Sequence, residues 1–313
     1  MPFDEQRSLS APSGARLNLY IKRSSVQERG VVQINHGLAE HAARYERFAD
    51  FLAERGYHVY AHDHRGHGHT SAPDAPLGHF GSEPAAEKVI ADVAAVHDLI
   101  SAEHSGLPVV VFGHSMGGLI ALDFVLQHPG RAAAAAIWNA NFSARASGHM
   151  AKAILAWERL RLGSDIPSRI LPRLTFGAWA VRFRDRRTDF DWLSRDPGEV
   201  DRYVADPLCG WAPSVGMWRT VFDFIFFAAD NANFSRLRKD TPFQLVGGEK
   251  DPATGGGRAV RALEARMRRL GFSNLETRIY VETRHESLNE VNRGAIMQDF
   301  VRWAERALGT GKP

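Results

Sequence analysis

Ser115, Asp251 and His285 lie far apart in the sequence, yet together they have the side chains that acyl transfer needs. A serine hydroxyl is a poor nucleophile until a base removes its proton. An imidazole, with an ordinary pKa of about 6.5, can do so near neutral pH. A carboxylate on the other ring nitrogen fixes the tautomer and stabilises the imidazolium. Ser115 sits inside Gly113-His114-Ser115-Met116-Gly117-Gly118. Of the 14 histidines, His285 alone directly follows a late strand and precedes the last helix. For the acid, Glu249 is the alternative; Asp251 is favoured because it lies deeper in its loop and precedes Pro252.

The flanking residues say how these groups are held. Pro108-Val109-Val110-Val111-Phe112 reads as a buried strand, and residues 119–128 read as a helix stopped by Pro129-Gly130. The serine therefore occupies a sharp strand-to-helix turn, with glycines two residues before and two after it. The N–H of Met116 opens the helix and is one oxyanion donor. Residues 30–35 read as the first interior strand, running into His36-Gly37-Leu38-Ala39-Glu40-His41. That loop supplies the second donor, the N–H of Leu38. Gly37 and His114 are expected at the substrate pocket, with His36 and His114 packing against or shaping it.

The rest of the chain alternates. Residues 1–30 read as an edge hairpin, 44–55 as a helix, 57–61 as a strand and 84–103 as an amphipathic helix carrying Val89, Val93, Val96 and Ile100 on one face. Residues 131–139 read as a strand. After a gap come strands at 242–247 and 275–281, with helices at 259–270 and 295–308. Ile296, Phe300, Trp303 and Leu308 of the last helix are expected on the sheet. The alternation predicts a mostly parallel sheet covered on both faces, with reacting groups at the carboxyl ends of its strands. His62-Asp63-His64-Arg65-Gly66-His67-Gly68-His69 is dense in histidine but lacks paired ligands at helical spacing. It is read as a hydrogen-bonded loop beside the site and not as a metal centre.

The gap, residues 140–239, is a different region. It holds five of the seven tryptophans (Trp157, Trp179, Trp192, Trp211 and Trp218), and 16 Lys and Arg against 11 Asp and Glu. It is read as a helical cap with helices near 150–162 and 214–229, and some of its aromatics are expected to face the serine. The organisation is then 1–139 core, 140–239 cap insertion and 240–313 core. With 313 residues and 44% hydrophobic content, the chain can bury a large core. A net charge of +3 argues against a nucleic-acid partner. Cys209 is the only cysteine, so no internal disulfide forms. No basic-then-apolar leader and no membrane-length apolar run are read, so a cytoplasmic protein, peripheral at most to a membrane, is expected.

These motifs, together with Arg44-Tyr45, Ala205-Asp206-Pro207-Leu208, Gly248-Glu249-Lys250-Asp251-Pro252 and His285-Glu286-Ser287-Leu288-Asn289-Glu290, resemble the monoacylglycerol lipase and lysophospholipase branch of the α/β-hydrolases. That branch includes the serine-aminopeptidase-like hydrolases. The resemblance implies an α/β-hydrolase fold with an inserted helical cap, a Ser-Asp-His triad, an oxyanion hole from the His-Gly loop and a pocket for an acyl chain. It implies a lipid-ester substrate and no cofactor. A peptidase, thioesterase or acyltransferase would use the same triad, and a non-catalytic binder could share the fold. The cap matches only at its Ala-Asp-Pro-Leu segment, and Thr254-Gly255-Gly256-Gly257 departs from the pattern. The basic, aromatic cap also offers transient contact with a membrane surface.

Overall fold

The computed structural model describes residues 3–144 and 146–310. Residues 1 and 2 of the expected hairpin, Arg145 of the expected cap and residues 311–313 lie outside the described residues. The order of elements is β1 (Glu5–Ser10), β2 (Arg16–Lys22), β3 (Gly30–Asn35), α1 (Glu46–Ala53), β4 (Tyr57–His62), α2 (Ala85–Glu103), β5 (Val109–His114), α3 (Met116–Gln127) and β6 (Ala134–Trp138). Then follow α4 (Ala146–Leu162), α5 (Ala178–Ala180), α6 (Pro197–Ala205), α7 (Val215–Ala229), β7 (Phe243–Gly248), α8 (Arg258–Arg269), β8 (Leu275–Tyr280) and α9 (Arg293–Leu308).

One eight-stranded sheet forms in the order β1-β2-β4-β3-β5-β6-β7-β8. The β1–β2 and β2–β4 pairs are antiparallel and the rest are parallel, so β1 and β2 form the expected edge hairpin. Every residue of β3, β4, β5, β6 and β7 is buried. Helices cover both faces of a parallel sheet, so these strands are buried on both sides and do not alternate between apolar and exposed polar residues. On one face, α1 and α9 pack Phe48, Ile296, Phe300 and Trp303 against Phe112 and Trp138, with Leu308 half-buried beside them. On the other lie α2, α3 and α8, where Val89, Val93, Val96 and Ile100 are all buried.

Between β6 and β7 the chain is mainly helical. α4 and α7 lie within a few residues of the expected helices, and α6 is a further helix that the sequence pattern does not predict. Ser214 caps α7 by accepting from the Met217 N–H at 3.1 Å. Asp196 caps α6, accepting from Gly198 N–H at 3.0 Å, with Pro197 in the first turn. The region does not have a wholly separate core. Met217, Val221 and Phe224 of α7 join the cluster built on α3, while Ala180, Trp192, Leu193 and Tyr203 form a small cluster of their own.

The histidine-rich turn after β4 is sewn to its neighbours. Asp63 accepts from the Ala42 N–H at 2.8 Å, the His69 N–H at 2.9 Å and the Asn18 amide at 2.9 Å. Arg65, fully buried, pairs with Asp92 at 2.7 Å. His36, His62, His64 and His67 pack together, with the rings of His36 and His64 4.5 Å apart. His36 Nδ1–H donates to the Gly37 carbonyl at 2.7 Å, and its Nε2 accepts from the His64 N–H at 2.9 Å. That arrangement requires a neutral ring.

Burial lowers the basicity of all four imidazoles: His36 to about 4, His62 and His67 to about 3, and His64 well below its ordinary value. In the unfolded chain they titrate at about 6.5. Below that pH the unfolded state takes up protons that the native state refuses. Their contribution is therefore full above about pH 7 and drains as the pH falls toward about 4. The urea midpoint should hold steady above pH 7 and decline between pH 6.5 and 5, before carboxylates dominate. A midpoint constant over that interval would contradict the neutral quartet.

Candidate active site

β5 delivers Ser115 to the carboxyl edge of the sheet, and α3 begins one residue later. Ser115 has φ 54° and ψ −117°, a left-handed conformation that costs a non-glycine residue about 1–3 kcal/mol. The surroundings enforce it. Its N–H donates to the Trp138 carbonyl at 2.8 Å, and its carbonyl accepts from the Gly118 N–H at 2.9 Å. A Cβ on Gly113 would meet the Gly117 carbonyl at 2.1 Å, and one on Gly117 the Asn35 carbonyl at 2.0 Å. The two glycines let strand, turn and helix lie against one another with the hydroxyl projecting from the corner.

Loops after β7 and β8 bring the other two groups to the same edge. His285 Nε2 lies 2.9 Å from Ser115 Oγ, and its Nδ1 lies 2.9 Å from Asp251 Oδ1. With Nδ1–H donating to the carboxylate, Nε2 is free to accept the serine proton. Asp251 is fully buried and fully used: Oδ1 also accepts from the Ala253 N–H at 2.9 Å, and Oδ2 from Asn139 at 3.1 Å and Thr254 at 2.9 Å. Burial pushes this carboxyl up, but His285 and the donors from Asn139 and Thr254 outweigh it and hold the pKa below its ordinary value. Glu249 is exposed and accepts from the Glu282 N–H at 3.2 Å, away from this site.

Asn139 and Thr254 were not identified from sequence. Asn139 follows β6 with φ 53°, and a polar residue just beyond a strand end was the available signal for it; Thr254 stands three residues past Asp251, within the same loop. Trp179 and Trp192 were named only as cap aromatics. They pack on His285, with ring centroids 6.2 and 5.1 Å away.

The loop after β3 lies beside the elbow. The N–H groups of Leu38 and Met116 have no protein acceptor among the described residues, as suits donors reserved for a ligand oxygen. Gly37 and His114, expected as substrate contacts, line the same cavity with their polar groups already committed. The Gly37 N–H donates to Glu40 at 2.6 Å. His114 places Nε2 3.0 Å from the His285 carbonyl and Nδ1 3.6 Å from Glu40. Both residues shape the wall, and neither offers a free donor to a substrate.

Ser115 and His285 open into a cavity of about 1510 Å³. Phe142, Ile154, Leu171, Phe176, Trp218 and Phe222 are among its apolar lining residues. Arg258, Arg266 and Arg269, on the face of α8 turned toward it, add positive charge to its lining. No helix among the described residues is long and apolar enough to cross a membrane.

A family described as serine aminopeptidase, S33, matches residues 26–292. The monoacylglycerol lipase of Mycolicibacterium smegmatis is 26% identical over 95% of this chain and 96% of its own length. Human monoglyceride lipase is 29% identical over 66% of this chain and 61% of its own. Among solved structures, a carboxyl esterase from Bacillus coagulans in complex with glycerol superposes with a TM-score of 0.88 at 21% identity, covering 97% of this chain and 98% of that one. A lipase in an open form gives 0.83 at 26% identity, covering 97% and 99%.

The tight approach at the elbow can be checked without any substrate. Gly117→Ala should destabilise the protein by about 2–3 kcal/mol, because the new methyl group meets backbone and no flexible side chain can yield. An unchanged melting temperature would contradict the close packing of α3 on β3.

Proposed function

The chain belongs to the serine aminopeptidase S33 family, and from that membership we propose that it is a serine hydrolase cleaving carboxylic esters of single-chain lipids. The observation that carries the proposal is one imidazole within 2.9 Å of both a serine hydroxyl and a buried carboxylate, at the floor of a large cavity with an apolar lining. A monoacylglycerol is the favoured substrate, supported by the relatives that bear that name.

Ser115 Oγ attacks the ester carbonyl carbon while its proton passes to His285 Nε2. The carbonyl oxygen becomes an oxyanion and receives hydrogen bonds from the N–H groups of Leu38 and Met116. Each such donor is worth about 3 kcal/mol in the transition state. Asp251, kept ionised by its depressed pKa, stabilises the imidazolium. His285 then gives the proton to the departing alcohol oxygen, leaving an acyl-enzyme. Water repeats the cycle with His285 as base and releases the fatty acid. Trp179 and Trp192 cover the imidazole, and the cap aromatics provide the apolar surface that an acyl chain prefers.

A second reading within the same chemistry is a lysophospholipid. Arg258 and Arg269, on the cavity wall and without a carboxylate partner among the described residues, favour a lipid that carries a phosphate. We also assign transient membrane contact to the helical region between β6 and β7, supported by outward-facing Met150, Trp157 and Leu160 near Arg159 and Arg161.

On p-nitrophenyl acyl esters, Ser115→Ala should lower kcat by about 10⁴-fold or more. Retained turnover would exclude Ser115 as nucleophile. A chain-length series on glycerol esters should outpace aminoacyl amides, and the reverse order would favour a peptidase. Sedimentation with liposomes should increase when anionic lipid is added; indifference to it would remove the membrane assignment.

A further inference from the structure

The reaction scheme leaves unused a buried set of charges behind the site. Glu40, Glu286 and His114 are each no more than 6% exposed, and the Arg44 side chain is 11% exposed. Arg44 bridges the two carboxylates, donating to Glu286 at 2.6 and 2.7 Å and also to Glu40. Its guanidinium lies 4.9 Å from the centre of the Tyr203 ring. An unpaired charge at such depth would be costly, but here two carboxylates face Arg44 and an imidazole.

Glu40 ties this set to the loop after β3. Its Oε1 accepts from the Gly37 N–H at 2.6 Å and from the Tyr45 hydroxyl at 2.9 Å. A Cβ on Gly37 would meet that oxygen at 2.6 Å, so the carboxylate approaches the loop only because residue 37 is glycine. The same oxygen lies 3.6 Å from His114 Nδ1, and His114 Nε2 lies 3.0 Å from the carbonyl of His285. Both ring nitrogens thus face acceptors, a carboxylate at ion-pair distance and a carbonyl at hydrogen-bond distance, and only the imidazolium presents an N–H to each. Burial works against that cation, but Glu40 and Glu286, with the His285 carbonyl, raise the pKa of His114.

We propose that Glu40 is a positioning residue: through Gly37 it sets the Leu38 N–H, and through His114 it holds the backbone of His285. One carboxylate thereby couples the oxyanion loop to the general base across three segments of chain. The coupling matters because a misplacement of about 1 Å at a reacting group can cost on the order of 100-fold in rate. The inference rests on the hydrolase reading and adds to it a residue that does not touch the substrate.

The test measures kcat and KM on a p-nitrophenyl ester, together with the melting temperature, for the wild type, Glu40→Gln, Glu40→Ala and His114→Asn. Glu40→Ala should lose about 100-fold in kcat with KM within about threefold, the signature of a transition-state contact. Glu40→Gln keeps an oxygen for the Gly37 N–H and should recover part of that, to a loss of about 10-fold. A lower melting temperature with wild-type kcat per folded molecule would overturn the proposal, as would a change confined to KM. If both Glu40 variants fail to fold, His114→Asn decides: a kcat loss of about 10-fold supports the coupling, and wild-type kcat overturns it. A wild type without ester hydrolysis would overturn the hydrolase reading together with this one, a result distinct from loss of activity in the variants alone.

Discussion

The two hydrogen bonds of the His285 ring are the contacts on which the rest depends. Each is 2.9 Å long, and each reaches a residue on a different loop. A ring can hold two such contacts only if three strand ends arrive at one edge within tenths of an ångström. β5, β7 and β8 provide those ends, and parallel pairing across β6 sets their spacing. The sheet is thus a ruler for the chemistry, and the helices on its two faces keep the ruler stiff.

Burial makes this arrangement demanding. Asp251 is out of reach of water, so every lone pair it keeps must be answered by a donor, and Ala253, Asn139 and Thr254 answer them alongside His285. The same rule governs the back of the site. Arg65 needs Asp92, and Arg44 needs Glu40 and Glu286. The four imidazoles near the loop after β3 avoid the cost of charge by staying neutral. Around Ser115 the constraint is steric: backbone occupies the space where side chains on Gly113 and Gly117 would go.

Much of the fold was legible in the sequence because the buried parallel strands are short, mainly apolar segments, β3 and β5 rich in valine, and glycine or proline closes most helices. The elbow was legible for the same reason, since its small residues sit at fixed distances from the serine. The helical region between β6 and β7 was read less well. Its helix α6 is short and largely exposed, so periodicity says little, although Asp196-Pro197 is a recognisable helix start. Asn139 and the Trp179–Trp192 pair stayed hidden because their partners, Asp251 and His285, lie remote in sequence, while Thr254 is close to Asp251 but only the fold of the loop turns its hydroxyl onto the carboxylate. The same holds for Glu40: its motif was visible, but its three-way contact appears only when the loop folds back on the elbow.

Treating the purified protein with a fluorophosphonate and mapping the modified peptide by mass spectrometry tests the central claim most directly. The account predicts a single covalent adduct on the Ser115 hydroxyl, formed by the wild type and suppressed in His285→Ala. An adduct on another residue, or equal labelling without the imidazole, would contradict it.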